Sequence, residues 1–153
     1  MLRSLIASLH YLSLGIGMGA VFARGLAIRR LQRDGVTRPG LSSLFFADNF
    51  WGIAALLWVG TGLARAFGGL EKGTSFYIHN PMFHLKMGLF LIVGAVEVAP
   101  MIRFIRWRTD LKGAREISVP ANVLSRYRFT NDLQLTLIVV MIFVASLMAR
   151  GIA

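Results

Sequence analysis

Apolar positions along this chain fall into four long runs rather than into short alternating stretches. Ser4–Ala23 is a 20-residue run between Arg3 and Arg24, and His10 is its only ionisable side chain. Leu41–Ala64 is a second run, interrupted by Asp48, while Pro81–Ile102 and Leu133–Ala149 are the third and fourth. Each approaches the ~20 residues that a helix needs to cross a ~30 Å hydrocarbon core. Backbone polar groups in lipid must be satisfied within the segment, so such runs are helices. Asn80 is placed to cap the third, with Pro81 at the first helical position, where a missing N–H is harmless. The fourth continues a helix that begins near Pro120. The first run is long for a cleaved leader and carries a histidine, so it reads as a true span. The pattern predicts an all-α membrane protein. Residues 1–153 form one domain, a four-transmembrane-helix bundle with spans at about 4–23, 41–64, 81–102 and 133–149.

Composition agrees. The chain is 56% hydrophobic with a mean hydropathy of +0.63, too apolar for an ordinary soluble domain. With no cysteine, disulfides, thiolate metal sites and Cys nucleophiles are excluded. The net charge of +10 sits in residues that flank the apolar runs, with no zinc-finger or RNA-binding motif, which argues against a nucleic-acid partner. The lipid bilayer is the expected partner, and the sequence leaves open a homo-oligomer. The first connection holds Arg24, Arg29, Arg30, Arg33 and Arg38. The third holds Arg103, Arg106, Arg108, Lys112, Arg115, Arg126 and Arg128, so the two carry twelve of the seventeen basic residues. The positive-inside rule then puts both connections in the cytoplasm and both termini outside.

Polar side chains inside the spans sort into two zones by depth. Towards the outer end lie His10, Arg65, His79, His84 and Lys86. Towards the inner end lie Asp48, Asn49, Glu97, Arg103, Asn131, Asp132 and Gln134. Ionisable groups at such depth are costly and face the bundle interior. Lys86 and Glu97 are eleven residues apart, close to three turns at 3.6 residues per turn, so they share a face that points inward. Glu97 is expected to find a partner among Arg103, Asn49, Asn131 and Gln134, because an unpaired carboxylate there is expensive. Ser13 and Gly17 leave space beside the His10 ring, which suits a flat macrocycle bound edge-in. Gly15, Gly19 and Ala23 form a small-residue stripe that suits close helix packing. Gly88, one turn from His84, repeats the histidine–glycine pattern.

The stretches "SLHYLSLGIGMGAVFARGLAI" and "FHLKMGLFLIVGAV" resemble the HemJ-type protoporphyrinogen oxidases, small bacterial membrane proteins that bind haem b and oxidise protoporphyrinogen to protoporphyrin. The resemblance covers the first three spans and implies a multi-pass protein of the bacterial inner membrane. It implies that His10 is an axial iron ligand and that His84 and Lys86 are the His-x-Lys pair of that family. Val96–Glu97 and Trp51–Gly52 stand where the family has an aromatic–histidine pair and a Pro-Gly. On this reading, a haem-binding redox protein, possible iron ligands are His10 and His84, since imidazole is a good ligand for iron. Arg65, Lys86 and Lys72 would neutralise the haem propionates. His84 and Lys86 are two residues apart, roughly 200° around a helix, so one-sided and two-sided ligation both stay open.

Hydrolytic chemistry finds no footing: the chain has no nucleophile elbow, phosphate loop or His-Glu-x-x-His helix. Two other readings remain. In one, Asp48, Glu97 and Asp132 form the proton or cation route of a small transporter. In the other, the polar groups only pair the helices of an assembly subunit without cofactor.

Overall fold

In the computed structural model, residues 1–113 and 117–151 are described; Arg115, one of the basic residues of the third connection, lies outside them. The described residues form four long helices and one short one: α1 (Leu2–Asp34), α2 (Arg38–Phe67), α3 (Thr74–His79), α4 (Pro81–Lys112) and α5 (Ala121–Ala149). All four long helices are long and apolar enough to cross a membrane. Local sequence explains their boundaries. Asn80 Oδ1 accepts hydrogen bonds from the backbone N–H groups of Met82 at 2.9 Å and Phe83 at 3.2 Å, capping α4 ahead of Pro81. Thr37 Oγ1 caps α2 in the same way, accepting from Gly40 N.

The helices run 29 to 33 residues, about 45–50 Å at 1.5 Å per residue, and so overhang a ~30 Å core. The surplus lies at one end. The two connections read as basic loops are therefore mostly helical, and together they build a second core beyond the apolar spans. Ile28, Leu31, Leu44, Phe104 and Leu124 are at most 2% exposed there, and Phe104, Trp107 and Tyr127 meet with ring centroids 5.6–6.0 Å apart. Water-driven burial supports this sub-bundle, at roughly 1.5–3 kcal/mol for each large apolar side chain. Within the spans lipid is as apolar as leucine, so packing and hydrogen bonds take over. The core there contains Val21, Trp51, Trp58, Val93, Ile138 and Met141.

Around the bundle the order is α2, α1, α5, α4. α1 packs most extensively on α2 and also contacts α5, which packs on α4; α4 and α2 stand further apart and meet through side chains. Both termini lie at one end, called here the terminal end; the other is the basic end. Gly15 and Gly19 are exposed, with nothing near the place of a Cβ. Gly19 and Ala23 of the small-residue stripe line an open groove between α1 and α2, and Gly15 faces outward. Gly88 faces outward in the same way.

Candidate functional site: a polar junction and an open vestibule

Two polar regions flank the membrane core. At the basic end Arg24 is 1% exposed in a helix whose buried face continues from His10 and Ser13 through Gly17 and Val21. Its five N–H donors meet five acceptors. Nε donates to Asn131 Oδ1 at 2.9 Å, one terminal nitrogen to Asp48 at 3.1 Å and Glu97 at 2.7 Å, and the other to Glu97 at 3.0 Å and to Gln134. Gln134 Nε2 also donates to Glu97 at 2.8 Å, and Asn131 Nδ2 to the Val21 carbonyl. A Cβ on Gly25 would stand 2.7 Å from Asn131 Nδ2, so the glycine makes room for this close approach. Arg108 joins from α4, donating to Asp48 at 2.7 Å and Asn49 at 2.5 Å. Two cations and two carboxylates thereby bind all four long helices into one neutral cluster.

Glu97 does face inward, and of its expected partners Gln134 is found. Arg103 is exposed and absent from the cluster; Arg24, read from sequence as a span-flanking loop charge, is the principal partner. Asp132 lies at the rim, 3.6 Å from Arg29 and 3.8 Å from Arg128.

At the terminal end a cavity of about 530 Å³ opens between the helices. His10, Arg65, Lys72, Lys86 and Glu71 all line it. α3 and the segment before it form a strap across its mouth. Arg65 donates to Glu71 at 2.7 Å, Tyr77 O–H donates to the other Glu71 oxygen at 2.7 Å, and the Arg65 guanidinium lies 5.1 Å from the centre of the Tyr11 ring. Burial disfavours the Glu71 carboxylate, but the hydrogen bonds from Tyr77 and Arg65 outweigh it and hold its pKa below the ordinary value. Burial, then the bond to Glu71, pushes the Tyr77 hydroxyl up. Lys72 reaches the Ala149 carbonyl at 3.5 Å and the Phe76 ring at 4.4 Å. Lys86 makes no hydrogen bond or ion pair with any described residue.

His10 forms part of the cavity floor, 7% exposed, beneath Gly62, whose missing side chain leaves room for the ring: a Cβ there would lie 3.2 Å from His10 Cε1. Its Nε2 accepts the Trp58 indole N–H at 3.1 Å. Nδ1 therefore carries the proton and donates to Thr61 Oγ1 at 2.9 Å, whose own proton goes to the Leu57 carbonyl at 2.6 Å. The space that Ser13 and Gly17 leave is taken by α2, with Trp51 against Gly17. His84 lies elsewhere: it is exposed, outside the cavity, and its Nε2 donates to the Ile78 carbonyl at 2.7 Å. The 200° separation from Lys86 is thus resolved with Lys86 inward and His84 outward. His79 is exposed too, held by the Ser75 carbonyl. Among the described residues, no three His, Asp or Glu side chains are grouped as a metal site would require.

For the haem b implied by the resemblance, the cavity's volume and cations fit, since small-molecule sites run to ~300–1,000 Å³. The iron ligands do not fit. A neutral imidazole has one lone pair, and that of His10 is held by Trp58. His84 faces the wrong way to be the second ligand.

A bundle of four apolar helices around two internal polar clusters defines an integral membrane protein. Residues 2–153 match the family described as predicted membrane protein (DUF2214), and the chain belongs to that family. No curated protein and no solved structure matches it.

Proposed function

We propose that the vestibule binds an amphipathic ligand carrying carboxylates, with a porphyrin dicarboxylate as the class the HemJ-type resemblance suggests. One observation carries this reading: Lys86 stands inside the bundle without a hydrogen-bond or ion-pair partner among the described residues. The one described carboxylate lining the same cavity, Glu71, is taken by Arg65 and Tyr77. An ammonium among membrane helices costs up to about 2.5–3.5 kcal/mol on insertion scales, and an anionic guest would offset that cost. Lys72 adds a second cation, and Phe76, Phe83 and Trp58 offer aromatic surface to a flat ring. Haem b enters this reading as a porphyrin dicarboxylate, held by its propionates rather than by iron.

Purified protein titrated with metal-free protoporphyrin and with haem tests it. Both should bind, and Lys86→Gln should weaken both by about tenfold, 1.4 kcal/mol. His10→Ala should leave the affinity for metal-free protoporphyrin near that of wild type. Failure of both ligands to bind wild-type protein would end the proposal. A haem spectrum of a histidine-ligated iron that vanishes in His10→Ala would instead restore iron ligation, with Trp58 turned aside.

The inner-membrane orientation with both termini outside belongs to the same proposal, supported by the crowding of arginine at the basic end. A cysteine placed at Arg30 in this cysteine-free chain should resist a membrane-impermeant thiol reagent applied to intact cells. Labelling from outside would reverse the orientation.

A further inference from the structure

The vestibule has a side opening. A narrower cavity of about 70 Å³ lies between α2 and α4, walled by Val59, Leu63, Phe67, Met87 and Phe90. It shares His10, Trp58, Phe83 and Lys86 with the vestibule. This is the side of the bundle where the helix backbones stand furthest apart among neighbours. α2 and α4 are tied by Arg108 with Asp48 and Asn49 at the basic end, share the packed core of Trp51, Trp58 and Val93 in mid-span, and meet at the terminal end where the Phe67 and Phe83 rings lie 6.2 Å apart, edge to face. Leu63 and Phe67 are each 47% exposed, on a surface that in a membrane faces acyl chains. The gap is thus an apolar slot running from lipid to a cation, with Lys86 bordering both spaces.

We infer that the ligand is a bilayer-borne amphiphile that reaches the vestibule sideways through the α2–α4 slot and leaves its apolar edge there. This rests on the vestibule reading above. A water-borne anion would need only the mouth beneath α3; an apolar slot that ends on an unpartnered ammonium serves a molecule with an apolar body and an anionic head. The head meets Lys86 first, then Arg65 and Lys72, while the body never leaves an apolar environment.

The test uses full-length protein in lipid nanodiscs, with protoporphyrin as the probe. Leu63→Trp and Met87→Trp each fill the slot from residues whose main surroundings are apolar. Both should slow protoporphyrin association by about tenfold or more, within the range over which variants of one binding site differ in on-rate. Bound protoporphyrin should also be quenched by doxyl-labelled lipid and little by aqueous iodide. Wild-type association rates in both variants, or iodide quenching that matches the lipid quencher, would overturn the slot as the route. The vestibule reading then survives if Lys86→Gln still weakens binding. Absence of protoporphyrin binding to the wild-type protein would overturn both.

Discussion

Arg24 and Lys86 are both cations on inward faces of membrane helices, at opposite ends of one bundle, and their surroundings could hardly differ more. Arg24 has five N–H donors and five acceptors; Lys86 has three donors and no partner among the described residues. The choice of residue follows the task. A guanidinium presents a rigid planar fork that can be closed off by fixed carboxylates and amides, whereas an ammonium is a compact charge on a flexible stem that can follow a guest. A buried cation whose hydrogen bonds close within the chain is part of the scaffold. One whose hydrogen bonds stay open is available to something from outside.

That contrast breaks if the two residues respond alike to removal. Arg24→Met leaves Asp48 and Glu97 in the bundle without their main counter-charge, and breaking one partner out of such a buried set costs about 3–5 kcal/mol. Unfolding in detergent micelles should register a loss of that size, and Arg24→Lys should recover little of it, since one ammonium cannot replace five directed donors. An Arg24→Met protein as stable as wild type would mean that the cluster is only incidental to the fold.

The role of Arg24 was the largest thing the sequence concealed. It ends an apolar run, and charge bias treats such an arginine as a loop residue. Its signal is periodicity: His10, Ser13, Gly17, Val21 and Arg24 fall three or four residues apart along the buried face of α1, which continues through Ile28 and Leu31 in the sub-bundle. Lys86 and Glu97 could be placed inward from spacing alone, and the Asn80–Pro81 start of α4 from capping chemistry, because both are local. The partners of His10 were hidden because Trp58 and Thr61 lie 48 and 51 residues away, and no local rule relates them. The α3 strap was hidden for a different reason. Six residues in a glycine-rich connection carry no periodicity, and Glu71 acquires its meaning only from Arg65 and Tyr77.

Lys86→Met sharpens the comparison from the other side. No described residue loses a hydrogen bond or ion pair by the change, and an ammonium is removed from the span. The expected effect is a gain of about 1–2 kcal/mol in the same unfolding measurement, below the full insertion cost because the vestibule is open to water. Ligand binding falls at the same time, so stability and function move in opposite directions. Lost stability in Lys86→Met would assign the lysine to the scaffold, beside Arg24.

The smallest effect concerns the strap at the mouth of the open region. Glu71 has a folded pKa below its ordinary value of 4.5, so its pairing contributes fully above that pH and is lost as the pH falls through the depressed value. Acid therefore loosens the strap and alkali does not act through this group. Arg65 and Glu71 are partly exposed, with 17% and 32% of their side chains accessible, which limits the contribution to about 0.2–1 kcal/mol. The shift is too small for a global unfolding measurement but within reach of a local probe. A spin label on a cysteine replacing the exposed Ser75, the sole thiol in the chain, should gain mobility as the pH is lowered from 6 towards 3. Glu71→Gln should be mobile throughout and insensitive to pH over that range. A label equally immobile at both pH values would show that apolar packing of Tyr77 and Phe83, whose rings lie 5.3 Å apart, holds the strap without the ion pair. The strap would then be held by contacts as permanent as those around Arg24, and the difference between the two ends would reduce to Lys86 alone.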